Sequence, residues 1–122
     1  MSYMLLIIEP TGQRATRTEA EGRAAYAAMQ RFGQAIADRG QLKAVESLAS
    51  LNTAVRISHA QGQPQVTDGP FAEAKEMIGG FFLLQNVSHD EAIAWAHACP
   101  AAQWCTVEVR PLAPCYDESA AT

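Results

Sequence analysis

The chain has no apolar run long enough to cross a bilayer, no cluster of lysine and arginine, and no cysteine or histidine spacing that builds a metal framework. Each lack removes a class of function. The apolar opening Met1–Ile8 is much too short to span a membrane, carries no basic segment, and is closed by Glu9 and Pro10, so no signal peptide is expected. A net charge of −4 and a pI of about 5.2 give neither a nucleic-acid footprint nor a headgroup-binding patch. Three cysteines, Cys99, Cys105 and Cys115, cannot all pair within one chain, and without a secretory signal reduced thiols are the default. His97 and Cys99 find no third or fourth ligand at usable spacing, so neither metal nor cofactor is expected. Gly79-Gly80 lacks the Lys-Ser/Thr of a phosphate loop. A cytoplasmic protein without membrane or nucleic-acid partners is the expectation.

What is present suffices for one core. The chain has 122 residues, of which 48% are hydrophobic. Residues 1–112 are expected to form one domain and 113–122 a flexible tail. Tyr3–Ile8 is apolar throughout, as in a strand buried on both faces. Thr11–Arg17 reads as polar linker. Thr18 and Glu21 form a capping-box pair that opens a helix, with Ala25, Met29, Phe32 and Ile36 along one face and Gly40 as its stop. Leu42, Val45 and Leu48 suit either period; after a glycine stop, a short strand fits Gln41–Leu48. Thr53–His59 alternates, Gln61-Gly62-Gln63 is a turn, and Gln65–Thr67 returns as a hairpin. Met77–Gln85 carries Phe81-Phe82-Leu83-Leu84, with glycines before it that predict a bulge or a close approach by another group. Ser88 and Glu91 repeat the capping box. That second helix should stop at Cys99, which precedes a proline. Trp104–Val109 alternates again, Cys105, Val107 and Val109 facing inward.

This order, β-α-β-β-(β)-β-α-β, is the ferredoxin-like arrangement of an α+β protein with an antiparallel sheet. Two helices cover one face of such a sheet. Tyr3–Ile8 and Phe81–Leu84 are apolar on both sides, which leaves the other face too apolar for water. A second copy would bury it, so the sequence predicts a homodimer with facing sheets and a cleft in each half.

Candidate chemistry gathers at Asp68-Gly69-Pro70-Phe71. An Asp side chain bonds backbone N–H groups two or three residues on, Gly escapes part of the restriction on a residue before proline, and Pro fixes its own φ. The product is a stiff polar loop followed by Glu73, Lys75 and Glu76. Asp68 or Glu73 is a candidate general base, with Lys75 stabilising a developing anion. The same residues also read as a turn cap and a solvated rim. His59, on the Val55–Ile57 side, is a candidate proton shuttle or a strand-end hydrogen bonder, and Arg56 on the opposite side a candidate anion clamp. Gly69, Pro70, Phe71, Lys75, Glu76 and Phe81 are the candidate ligand-binding residues. Phe81, Phe82, Trp95 and Trp104 read first as core or interface.

Val66-Thr67-Asp68-Gly69-Pro70-Phe71-Ala72-Glu73, Lys75-Glu76, Gly79-Gly80-Phe81, the Ala92–Trp95 segment and Val107-Glu108-Val109-Arg110-Pro111 together resemble the YCII-related proteins of the DGPF subgroup, over about Tyr3–Leu112. The resemblance implies a ferredoxin-like, dimeric α/β barrel, mostly of unassigned function. Some relatives resemble enzymes acting on small aromatic compounds, and others are appended to sigma-factor-like regulators. It also implies a polar pair, a His on the first helix and an Asp before a proline after the second. This chain departs there, with Met29 near the first position and Cys99 before Pro100.

Three functions follow as expectations. One is a small dimeric module that binds a polar or aromatic molecule in a cleft lined by the Asp68 loop. A second is a cofactor-independent acid–base enzyme, lyase, isomerase or dehydrohalogenase-like, using Asp68 or Glu73. The third is a protein-interaction module associated with a transcription regulator.

Overall fold

A computed structural model of the chain describes residues 1–118. The strand Tyr3–Pro10 (β1) sits in the middle of a four-stranded antiparallel sheet because both its faces are apolar. Tyr3, Leu5, Ile7 and Glu9 point to the buried side, while Met4, Leu6 and Ile8 are half-buried on the other. Glu76–Leu84 (β5) and Thr106–Pro111 (β6) flank it, and Leu42–Ser47 (β2) pairs with β5, giving the order β2-β5-β1-β6. Leu5 lies opposite both Phe82 and Val109, so the inward rows of the three strands coincide. The strand does not stop at Glu9-Pro10: Pro10 still faces Glu76, at a strand end where a missing N–H costs little.

Two helices cover the inward face. Helix Glu19–Asp38 (α1) opens on the Thr18–Glu21 capping box, where Glu21 N–H donates to Thr18 Oγ1 at 3.1 Å and Thr18 N–H to the Glu21 carboxylate at 2.8 Å. It ends before Gly40, whose φ of +71° only glycine adopts freely. Phe32 and Ile36 are buried on the sheet, Phe32 standing edge-on to Phe82 at 5.1 Å and to Trp95 at 5.9 Å. Helix His89–Ala98 (α2) repeats the box with Ser88 and Glu91 and leaves helical geometry at Cys99, as the following proline requires. The two helices are tied by buried Gln41. Its amide donates to Glu91 and to the Asn86 carbonyl, and its oxygen accepts the Trp95 indole N–H at 2.9 Å.

Between β2 and β5 the chain inserts a separate hairpin, Val55–Ala60 (β3) and Gln63–Asp68 (β4). Its two-residue turn has positive φ at Gln61 and Gly62, matching the right-handed twist of the strands. Every residue of both strands is exposed, including Val55, Ile57 and Val66. On the main sheet, Leu6 lies opposite Phe81 and Met4 opposite Leu83, away from the helices, and these four stay half-buried with Ile78 exposed beside them. The order and pairing fit the expected ferredoxin-like arrangement. Part of the expected tail, residues 119–122, lies outside the described residues.

Both capping carboxyls titrate below the ordinary 4.5. For Glu21 the main cause is the Thr18 backbone N–H, then the Thr18 hydroxyl; for Glu91 it is the Ser88 N–H, then the Gln41 amide. A lowered folded value means the stabilisation is complete above the unfolded pKa and lost as pH falls through the folded one. Urea unfolding from pH 7 to pH 3 should therefore show an acid limb that flattens in Glu21→Gln/Glu91→Gln.

Candidate functional site

Glu9 continues the inward row of β1 and is 8% exposed, so its charge needs a partner that the strand cannot supply. The next residues supply it. Thr11 donates its N–H to the Lys75 carbonyl and its hydroxyl to that of Ala74, Gly12 turns the chain at φ +84°, and a 3-10 turn at Arg14–Thr16 returns Arg14 to the sheet. Arg14 Nε donates to Glu9 Oε1 at 2.6 Å, Nη1 to the Leu48 carbonyl at 2.8 Å and Nη2 to the Gly79 carbonyl at 3.3 Å. Gly79 lies at the irregularity in the β1–β5 register, where Ile7 faces Gly80 and Ile8 faces Ile78. A Cβ on Gly79 would overlap Glu9 Oε2 and lie 3.0 Å from Arg14 Nη2; one on Gly80 would sit 2.7 Å from the Glu46 carbonyl oxygen. The first glycine makes room for a carboxylate and the second for a neighbouring strand.

The pair borders a cavity of about 1080 Å³ between α1 and the sheet. Ile7, Leu42, Val45 and Phe82 line it from the strands, Tyr26, Met29 and Gly33 from α1. Arg17 and Trp104 also border it. Arg17 lies 5.7 Å from the Trp104 ring centre and donates to Gln13 Oε1, while the Gln13 amide donates to the Trp104 carbonyl. Glu19 and Arg23 pair with each other at 2.7 Å. Among the described residues no carboxylate lies within ion-pair distance of Arg17.

Apart from Phe81, the expected site residues lie away from this cavity. Asp68, Glu73, Lys75, Glu76, Pro70 and His59 are exposed, Gly69 is half-buried and Phe71 is buried. The Gly69 N–H donates to the Ala54 carbonyl at 2.7 Å, and a Cβ there would overlap the Leu51 carbonyl oxygen. Phe71 carries the Arg56 guanidinium 3.7 Å over its ring, and Arg56 reaches Glu73 at 3.5 Å. The loop thus brings Phe71, Arg56 and Glu73 together. His59 is not among them: Asp68 faces Val55, and His59 lies four residues further along β3, roughly 13 Å away. Of the expected ligand-binding residues, Phe81 borders the cavity and Gly69, Pro70, Phe71, Lys75 and Glu76 do not.

Glu9 and Arg14 were missed by the sequence reading, though a signal existed. An acid in register with Tyr3, Leu5 and Ile7 announces a buried charge, and the downstream glycine pair announces something close against β5. Among the described residues no helix is long and apolar enough to cross a membrane, and no group of three His, Cys, Asp or Glu is placed to hold a metal ion.

The family model of the YCII-related domain matches residues 1–115. The chain belongs to the YCII-related family. It is also similar to an uncharacterized protein of Rhizobium meliloti (strain 1021), 41% identical over 78 residues, a match that covers 62% of this chain and 63% of that protein. In this YCII-related chain, Met29 and Cys99 stand near the two positions where the resemblance implies a polar pair, and they meet: Cys99 Sγ lies 4.0 Å from Met29 Sδ. Burial pushes the Cys99 thiol up, and it pushes Cys105 to about 11 with help from the Glu9 charge.

Two measurements check this account. Gly79→Ala should cost about 1–3 kcal/mol in urea unfolding through overpacking, and Gly79→Ala/Glu9→Ala should cost less than the sum of its two single changes, because the second removes the atoms the first displaces. In the native protein at pH 8 a thiol reagent should label Cys115, which is exposed, well ahead of Cys99 and Cys105; unfolding should release both.

Proposed function

We propose that this YCII-related protein binds a small, largely apolar molecule in the cavity between α1 and the sheet, and works as a homodimer. The observation that carries the first part is a buried carboxylate paired with a half-buried guanidinium, bordering a mainly apolar space. Cavities of this size, mainly apolar in lining and with polar groups at fixed positions, are where small molecules bind. The pair is held on three sides by backbone and side chain, so it is oriented before any ligand arrives.

Two apolar surfaces support the homodimer. The sheet face of Met4, Leu6, Phe81 and Leu83 has both helices behind it, and the hairpin shows Val55, Ile57 and Val66 to solvent. A two-stranded hairpin is marginal alone in water, and contiguous apolar surface calls for cover. The Asp68–Phe71 loop then serves mainly to fix the hairpin's base, through Gly69 on Ala54 and Phe71 under Arg56.

Amide shift mapping with soluble aromatic fragments tests the site. Shifts at Gly33, Val45 and Gly79 are expected, and Val45→Trp, which fills the space, should weaken binding at least about tenfold. Shifts confined to Asp68–Phe71 would transfer the site to that loop and overturn the reading. Sedimentation at micromolar concentration should give twice 13.2 kDa, reverting to 13.2 kDa in Leu6→Glu; a wild-type monomer would remove the homodimer.

A further inference from the structure

We infer that the group recognised by the Glu9–Arg14 pair is neutral and carries a hydrogen-bond donor beside an acceptor, as a carboxamide or lactam does. The inference rests on the cavity reading above and deepens it. Glu9 uses Oε1 for Arg14, and Oε2 accepts no hydrogen bond from the described residues, although the side chain is only 11% exposed and borders the cavity. A carboxylate oxygen so placed takes a donor from whatever enters. Arg14 has five N–H groups. Nε and one hydrogen on each terminal nitrogen are engaged by Glu9, Leu48 and Gly79, which leaves one free donor on each terminal nitrogen. With its side chain 36% exposed, those donors remain within reach of a ligand.

The charge balance selects among ligands. Glu9 and Arg14 sum to zero at 2.6 Å separation. An ammonium drawn to Glu9 meets the guanidinium beside it, and a carboxylate drawn to Arg14 meets Glu9. Each would be desolvated for little net attraction. A neutral donor–acceptor edge satisfies Oε2 and an Arg14 N–H together without introducing a charge. The body of the ligand lies against Ile7, Met29, Leu42 and Phe82, whose apolar surfaces reward an aromatic or aliphatic ring. The competing anion site is Arg17 on the Trp104 ring, a cation with no carboxylate within ion-pair distance among the described residues.

Three probes with one body decide the matter: 2-naphthamide, 2-acetonaphthone and 2-naphthoate, titrated into 15N-labelled protein and followed at Gly79, Gly33 and Val45. The amide should bind about tenfold tighter than the ketone, which accepts but cannot donate. In Glu9→Gln the side-chain carbonyl still accepts from Arg14, while NH2 replaces Oε2, so an acceptor becomes a donor. The amide's advantage should then vanish or reverse, and continued binding of the ketone reports that the cavity is intact. Equal affinity of amide and ketone for the wild type overturns the inference while leaving the cavity reading in place. Tightest binding by naphthoate, with shifts at Arg17 and Trp104, also overturns it, in favour of an anion site. Failure of all three probes to shift any cavity amide counts against the cavity reading itself. If Glu9→Gln does not fold, the wild-type order of the three probes still decides.

Discussion

A negative charge on the core face of a central strand constrains most of this molecule. Glu9 follows Tyr3, Leu5 and Ile7 inward, and there a carboxylate without a partner would cost several kcal/mol. The only route to a cation is through the residues that follow it, so the turn at Gly12 and the 3-10 segment exist in the shape that brings Arg14 back. Arg14 then binds the backbone at Leu48 and Gly79, which ties the exit of β2 and the start of β5 to the same point. Gly79 is fixed by the same requirement, since a side chain there would occupy the carboxylate's place. The entry to α1 is set as a consequence. One ion pair thereby ties together three separated stretches of chain.

The rest of the fold obeys ordinary local rules that agree with one another. Both helices open on a complete capping box, both end where glycine or a proline-preceding residue ends them, and the hairpin turn has the φ values its twist demands. Such consistency singles out the places that break it. There are two. One is the Glu9–Arg14 pair on Gly79, bordering a cavity that the core packing does not fill. The other is the fully exposed hairpin beside an apolar sheet face. They lie on different parts of the fold, and the physics gives no reason to merge them.

Most of the fold was legible because its signals are local. Periodicity placed the strands and helices to within about two residues, and the Thr18–Glu21 and Ser88–Glu91 spacings fixed both helix starts. The exposed apolar face followed from strands apolar on both sides. The Asp68 loop was legible as a stiff turn, since Gly and Pro announce one, but its position depended on tertiary contacts with Leu51, Ala54 and Arg56 that no spacing encodes. Charge density drew attention to Glu73, Lys75 and Glu76, all exposed, while the buried acid was read as the end of a strand. A single charge in register with a core row carries more information than a run of them in a loop. Periodicity reads alternation, and at Glu9 the alternation continued while the residue type changed.

Met29 and Cys99 bear on where polar chemistry can occur. The two sulfurs stand near positions where the YCII resemblance implies an acid and a base, and burial holds the Cys99 thiol in its protonated form at neutral pH. A thioether takes no proton under those conditions, so the contact offers packing and no transfer. Met29 instead presents an adaptable apolar surface to the cavity. The charged groups bordering that space are Arg14 and Glu9 against Gly79, Arg17 against Trp104, Glu46 on β2, and the Glu19–Arg23 pair in the first turns of α1. In this chain the fixed polar contact lies on the sheet, where the two charges sum to zero and the pair is geometrically held. On the reading proposed above, that arrangement favours recognition of a neutral edge over abstraction of a proton.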